Sequence, residues 1–403
     1  MSGVRVTVGA ISTTIVSVVP VFLLGGLAVQ VGEELDFSPA GLGAAVAIYF
    51  GVSALTSVPA GAVVERYGPA VTARAAIVLS AASLLAIAVA ARSYPALVAL
   101  LAASAAANGL GQLASNASLT RVPAGRQGLS FGIKQAAIPA ATLLAGASVP
   151  AVALTLGWRW AFVIAAVAAA GALALVPPDG GKSQRTRMTE AGDRATKPTA
   201  SLASLYRSDA LGALVVIGAA VALGAAAAGS LGTFLVDSSV SRGLAPGLAG
   251  LTLALGSVAC LAARVGGGWL VDRRGAYGDV TTVAVLLVVG SVGLALLAAP
   301  GTMALAAGVL LGFGFGWAFP GLVNVAVVQL HPHAPAAATS ITQTGVYAGG
   351  CAGPLAFGAT AAARGYPTAW LGAAVAMLVA AGLILLGRQL QRGHRRKLLA
   401  DRT

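Results

Sequence analysis

Charge is the scarcest commodity in this sequence. Only 9% of its 403 residues are Asp, Glu, Lys or Arg, while 58% are hydrophobic and the mean hydropathy is +0.88. A soluble domain carries roughly a quarter charged residues, so an ordinary water-facing surface is excluded. Acids are the rarer sign, 12 in all, and each lies between long apolar runs or at the end of one. No run has a carboxylate near its middle. Aromatic residues make up 5%, too few for a broad aromatic pocket. Cys260 and Cys351 are the only cysteines and sit inside apolar runs, so no disulfide framework is implied. The chain has no G-x-x-x-x-G-K-[ST] loop, which excludes a nucleotide-driven pump within it. It also has no nucleophile–base–acid set and no metal-ligand cluster. His331 and His333 lack nearby Cys, Asp or Glu and read as solvated loop residues. Neither an enzyme nor a cofactor is expected.

What is abundant is apolar sequence. A spanning helix needs about 20 apolar residues, and twelve such runs occur, at 5–31, 38–64, 70–92, 94–118, 129–153, 158–177, 209–236, 245–271, 279–299, 301–330, 336–362 and 366–388. The expected fold is an all-α polytopic membrane protein of twelve transmembrane helices in a lipid bilayer. The 53 glycines suit close helix packing in lipid. Run 1 is longer than a signal-peptide core and lacks an A-x-A site, so it reads as span 1.

The net charge of +13 collects in short segments between runs and in the tail RQLQRGHRRKLL, which argues against a nucleic-acid partner. A cytoplasmic N-terminus places Arg5, Arg66, Arg74, Arg121, Arg126, the cluster from Lys182 to Arg207, Arg273, Arg274 and the tail inside. Only Arg92, Arg159, Arg242 and Arg364 then lie outside. A multi-pass protein of the plasma (inner) membrane with both termini cytoplasmic follows. Residues 178–208 mix Pro, Gly, Ser, Thr and both charge signs without apolar periodicity and read as a linker. The expected units are a bundle at 1–177, the linker at 178–208, a bundle at 209–388 and a basic tail at 389–403.

The two halves repeat each other. Gly61-x-x-x-Glu65-Arg66-x-Gly68 follows span 2, and Gly268-x-x-x-Asp272-Arg273-x-Gly275 follows span 8, 207 residues later. Pro39 and Pro246 stand at the same offset. Two pseudo-symmetric six-helix bundles are therefore expected, an architecture of secondary transporters with the substrate near mid-membrane between the halves.

Twelve spans, a long central loop and a G-x-x-x-D-R-x-G turn after spans 2 and 8 resemble the major facilitator superfamily. The span 8 copy fits fully, whereas the span 2 copy has Glu65 for Asp and Arg74 alone for a basic pair. Looser echoes are Asn108-Gly109-Leu-Gly111 in span 4 and Gly349-Gly350-Cys-Ala-Gly353-Pro354 in span 11. The resemblance implies alternating access, with Gly61, Glu65, Arg66, Gly68, Gly268, Asp272, Arg273 and Gly275 as scaffold and latch. In the residues themselves, Gly61 and Gly268 permit close helix approach, while Gly68 and Gly275 permit a sharp backbone reversal.

Two cations lie inside spans, where an ionisable residue marks a functional candidate. Arg264 is eight residues before Asp272, about 12 Å deeper at the helical rise. Lys134 is two turns into span 5, in Gly132-Ile-Lys134-Gln135-Ala-Ala-Ile-Pro139. Each has a competing reading: Lys134 as a residue that snorkels to the interface, Arg264 as a structural donor to backbone carbonyls. Tyr49, Asn116, Gln135, Asn324, Gln343 and Tyr347 can complete a site by hydrogen bonding or serve as helix glue. Asn116 and Asn324 are 208 residues apart, near the repeat offset.

Arg264 looks like the carboxylate-binding Arg of monocarboxylate and oxalate carriers, although Cys260 replaces the Asp of the monocarboxylate carriers. Drug–proton antiporters carry an Arg in span 4 where this chain has Ala105. The expectation is a monomeric secondary transporter of a small organic or inorganic anion, by exchange or proton-linked symport. Drug or metabolite efflux by proton antiport is the alternative.

Overall fold

Residues 3–119, 132–178, 210–274, 280–330 and 335–400 are described by the computed structural model. Among them every expected span is helical and no strand occurs. Spans 1 to 6 are Gly3–Gly26, Pro39–Tyr67, Pro69–Ala90, Tyr94–Leu119, Gly132–Leu156 and Trp158–Leu175. Spans 7 to 9 are Ala210–Val240, Pro246–Arg274 and Val280–Leu296. Span 10 comprises Thr302–Leu311 and Phe319–Leu330 with a break between them, and spans 11 and 12 are Pro335–Arg364 and Tyr366–Ala400. Ten described helices are long and apolar enough to cross a membrane. Span 9 is a shorter apolar helix of 17 residues, and span 11, at 30, carries more Gly, Ser and Thr. Residues 179–208 of the expected linker lie outside the described residues, as does Gly275.

Local chemistry sets the ends. Pro39, Pro69, Pro246 and Pro335 each open a helix, where a missing N–H costs nothing. Gly68 at φ +84° ends span 2 and starts span 3 without an intervening loop, the reversal its sequence position predicts. Two boundaries differ from expectation. Span 1 is interrupted at Leu27, and a second short helix, Ala28–Leu35, follows directly and carries Glu33 and Glu34. The tail does not break from span 12 either: its backbone stays helical to Ala400.

Helices of each half pack mainly on one another: spans 1, 2 and 3 on span 4, span 6 on span 3, and spans 11 and 12 on span 7. Small residues bring them close. A Cβ at Gly111 would overlap the Ser17 hydroxyl, and one at Gly290 would overlap the backbone of Gly316. Arg74, the lone basic residue after the first motif turn, donates to the Val176 carbonyl at 3.1 Å and so ties span 3 to the end of span 6.

Three seams join the halves at the end of the bundle remote from the motif turns. A Cβ at Gly25 of span 1 would lie 2.5 Å from the Gly232 carbonyl of span 7. At Gly43 of span 2 it would overlap the Pro354 carbonyl of span 11, and at Gly146 of span 5 it would lie 2.6 Å from the Gly250 carbonyl of span 8. Toward the motif end the seams behave differently. Spans 5 and 8 remain together through a 2.7 Å Thr142–Ser257 hydroxyl contact and a backbone crossing of Gly132 with Gly268. Spans 2 and 11 separate past Phe50 and Gly350: a Cβ at Gly61 would meet nothing within 4 Å, and Ser340, Gln343 and Thr344 are exposed. The gap between the halves therefore opens toward the motif end, beside spans 2 and 11.

The remote end also carries an ionic strap. Glu34 accepts from the Trp158 indole at 2.6 Å and from Arg159 at 2.6 and 2.7 Å, while Arg159 donates on to the Ala91 carbonyl at 3.0 Å and lies over the Trp158 ring. The Arg159 hydrogen bond holds the Glu34 carboxyl below the usual carboxylate range, with burial opposing and the indole assisting. Because the folded value is depressed, the strap contributes fully above the unfolded value and is lost as pH falls through the folded one. Glu34 is 46% exposed, so the effect is small. Glu34→Gln is expected to lower the melting temperature slightly at neutral pH, where the strap is intact in the wild type, and to converge on the wild type as pH falls below about 4.5.

Candidate substrate site

Both intramembrane cations lie toward the motif end of spans 5 and 8. Arg264 stands in the seam between them and Lys134 on the side of span 5 that meets span 4. Helix irregularities explain the place of Arg264. Pro139 has no N–H to give the Gln135 carbonyl four residues earlier, so that oxygen is left without its helical donor. The backbone is not regular helix at Ala136. Across the seam, the run GFGFGWAFP cannot sustain a uniform α-helix. Gly312–Gly316 forms a π-helical turn and Trp317, at φ −104° and ψ 0°, separates it from Phe319–Leu330. Carbonyls freed in this way inside a membrane require donors from elsewhere.

Arg264 supplies them. Its Nε and Nη2 donate to the Trp317 carbonyl at 3.0 and 2.6 Å, and Nη1 donates to the Gln135 carbonyl at 2.5 Å. One guanidinium thus joins span 5 of the first half to spans 8 and 10 of the second. It is 4% exposed and lies 5.9 Å from the centre of the Trp317 ring. Two of its five N–H donors are not taken by these carbonyls, and the Cys260 thiol borders it one turn earlier. The Trp317 ring packs on Phe22 of span 1 at 5.8 Å and fills the space a Cβ on Gly232 would need. Trp317 therefore touches the remote-end closure through its ring and Arg264 through its carbonyl.

Lys134 is 5% exposed and does not snorkel. Its ammonium donates to Gln112 Oε1 and Asn116 Oδ1 of span 4, both at 2.8 Å. Among the described residues no carboxylate pairs with Lys134 or Arg264. Gln112 is not distinguished by the sequence alone, although it stands four residues before Asn116 on one face of span 4. Trp317 acts through its carbonyl, which residue type alone does not signal.

The remaining candidates divide. Gln135 is half-buried, with Cγ 3.9 Å from where a Cβ on Gly321 of span 10 would stand, and Asn324 is half-buried one turn beyond Gly321. Neither side-chain amide makes a hydrogen bond among the described residues. Tyr347 is half-buried on span 11. Tyr49 itself is completely buried and donates to the Ser17 carbonyl at 2.6 Å, which makes it a tie within the first half. Gln343 is exposed on span 11, beside the opening. Of the motif residues, Glu65 and Arg66 are exposed, with Arg66 over the Tyr67 ring at 5.3 Å. Arg273 is exposed and lies 5.0 Å from the Trp269 ring centre. The Asp272 side chain is outside the described residues.

A helical, multi-pass membrane protein whose halves meet around buried polar groups is the architecture of a carrier. The model of the Major Facilitator Superfamily matches residues 9–354, and the chain belongs to that transporter family. No curated protein matches the chain.

Proposed function

We propose that this facilitator carries a small organic or inorganic anion by alternating access, as an exchanger or a proton-linked symporter. The observation supporting this reading is the pair of buried cations, Lys134 and Arg264, whose hydrogen bonds among the described residues go to neutral oxygens and to no carboxylate. An unbalanced buried charge is costly, and an anion at this place offsets it. Arg264 offers the donors its carbonyls do not occupy, Lys134 offers its third N–H, and Gln135, Asn324 and Tyr347 supply hydrogen bonds. The distribution of basic residues supports motif turns and termini on the cytoplasmic side of the plasma (inner) membrane. In this conformation the gap then faces the cytoplasm.

A thermal-shift panel on the detergent-solubilised protein tests the charge preference. Acetate, lactate, oxalate, phosphate and sulfate are compared, as sodium salts at matched ionic strength, with organic cations and neutral sugars. At least one anion is expected to raise the melting temperature in a saturable manner, because a ligand that binds only the folded state stabilises it. Stabilisation by cations or sugars alone would sink the reading.

A further inference from the structure

Span 4 repeats an amide every four residues, Asn108, Gln112 and Asn116, and the structure gives that stripe a direction. The Ser53 hydroxyl donates to the Ala105 carbonyl at 3.2 Å, and Asn108 Nδ2 donates to the Ser53 oxygen at 3.0 Å. Gln112 Nε2 in turn donates to Asn108 Oδ1 at 3.4 Å. With its NH2 group committed to Asn108, Gln112 presents its oxygen to Lys134, and Asn116 does the same. Ser53 and Asn108 are 0% and 2% exposed, so water does not compete for these bonds.

Among the described residues, the acceptors offered to the ammonium are both neutral amide oxygens. A glutamate differs from Gln112 by one atom, and it would satisfy the same hydrogen bond while cancelling the charge. We propose that the Asn108–Gln112–Asn116 stripe is a charge-selectivity element: it holds Lys134 inside the bundle while leaving its positive charge uncompensated for an anionic substrate. This rests on the anion reading above and names the residues that set its charge preference. Gln112 and Asn116 act through Lys134 and are positioning residues. The stripe also gives Asn108, noted in the sequence only as an echo of a family pattern, a physical task.

Gln112→Glu and Gln112→Met separate charge from shape. The probe is whichever of acetate, lactate, oxalate, phosphate or sulfate stabilises the wild-type protein, followed by calorimetric titration. Gln112→Glu is expected to weaken anion binding by about tenfold or more, the scale of one added charge at contact distance, with a melting temperature in the absence of anion at or above that of wild type. Gln112→Met keeps the charge balance but removes one of the two oxygens that hold Lys134, so it is expected to weaken binding by only about threefold, clearly less than Gln112→Glu. Should Gln112→Glu fail to fold, Asn116→Asp makes the same charge change at the other partner of Lys134. Wild-type affinity in the carboxylate variants overturns the proposal, and so does an equal loss in Gln112→Met, which would make the amide a packing element. A wild-type protein that binds none of the anions overturns the anion reading itself, a result distinct from either.

Discussion

Arg264→Lys should abolish transport nearly as completely as Arg264→Ala, although it preserves the charge. The guanidinium reaches two carbonyls on different halves at once, chelating Trp317 through Nε and Nη2 and holding Gln135 through Nη1. A lysine ammonium is a compact point charge without that planar fork, so it cannot hold both oxygens and keep donors for a ligand. Either substitution is expected to lower anion affinity by about a hundredfold, in line with losing a buried charged hydrogen-bond partner. Arg264→Ala also leaves two buried carbonyls without donors, at about 1–3 kcal/mol each. Its melting temperature should fall more than that of Lys134→Gln. Calorimetric titration and thermal unfolding of the three variants check both parts. An Arg264→Lys protein with wild-type affinity would show that charge alone matters there.

The second large effect is steric and lies away from the buried cations. Gly43→Val should leave the protein folded yet block transport, because the closure at the remote end has no room for a side chain. A Cβ at Gly43 would overlap the Pro354 carbonyl, and one at Gly358 would overlap the Pro39 carbonyl, so spans 2 and 11 are in contact at backbone level. Backbone oxygens do not swing aside as a flexible side chain does. The variant is expected to populate conformations with the remote end parted, and its transport rate should fall to under about a tenth of wild type. Cysteines placed at Phe37 and Leu244, near the remote end, would become more reactive toward an impermeant thiol reagent. Gly61→Val is the matched control at the motif end: its Cβ has open space in this conformation, so it should leave closure at the remote end intact.

The sequence carried much of this because membrane physics writes large signals. Twenty-residue apolar runs locate most of the spans to within a few residues, the ends of spans 1 and 12 being the exceptions. The positions of Arg264 and Lys134 stood out because charge is expensive at that depth. Their partners were harder to read. Arg264 is held by backbone oxygens, which every residue possesses, and only Pro139 and the glycine-rich run before Pro320 hinted that such oxygens would be free. Gln112 was hidden among other small polar residues of span 4 until its bond to Lys134 distinguished it. Tyr49, a plausible ligand by type, is instead spent on Ser17. The glycine crossings between halves were invisible for a different reason. A glycine shows where close approach is allowed, and Gly61 shows that permission is not contact.

Uptake of a radiolabelled anion, chosen from the thermal-shift panel, into proteoliposomes tests the central claim most directly. The wild-type protein should take up the label, faster when the vesicles are preloaded with the same unlabelled anion or when a proton gradient is imposed, and Arg264→Ala should reduce uptake to that of protein-free vesicles. Undiminished uptake by Arg264→Ala, or uptake of labelled cations or sugars by a wild-type protein that moves no anion, would contradict it.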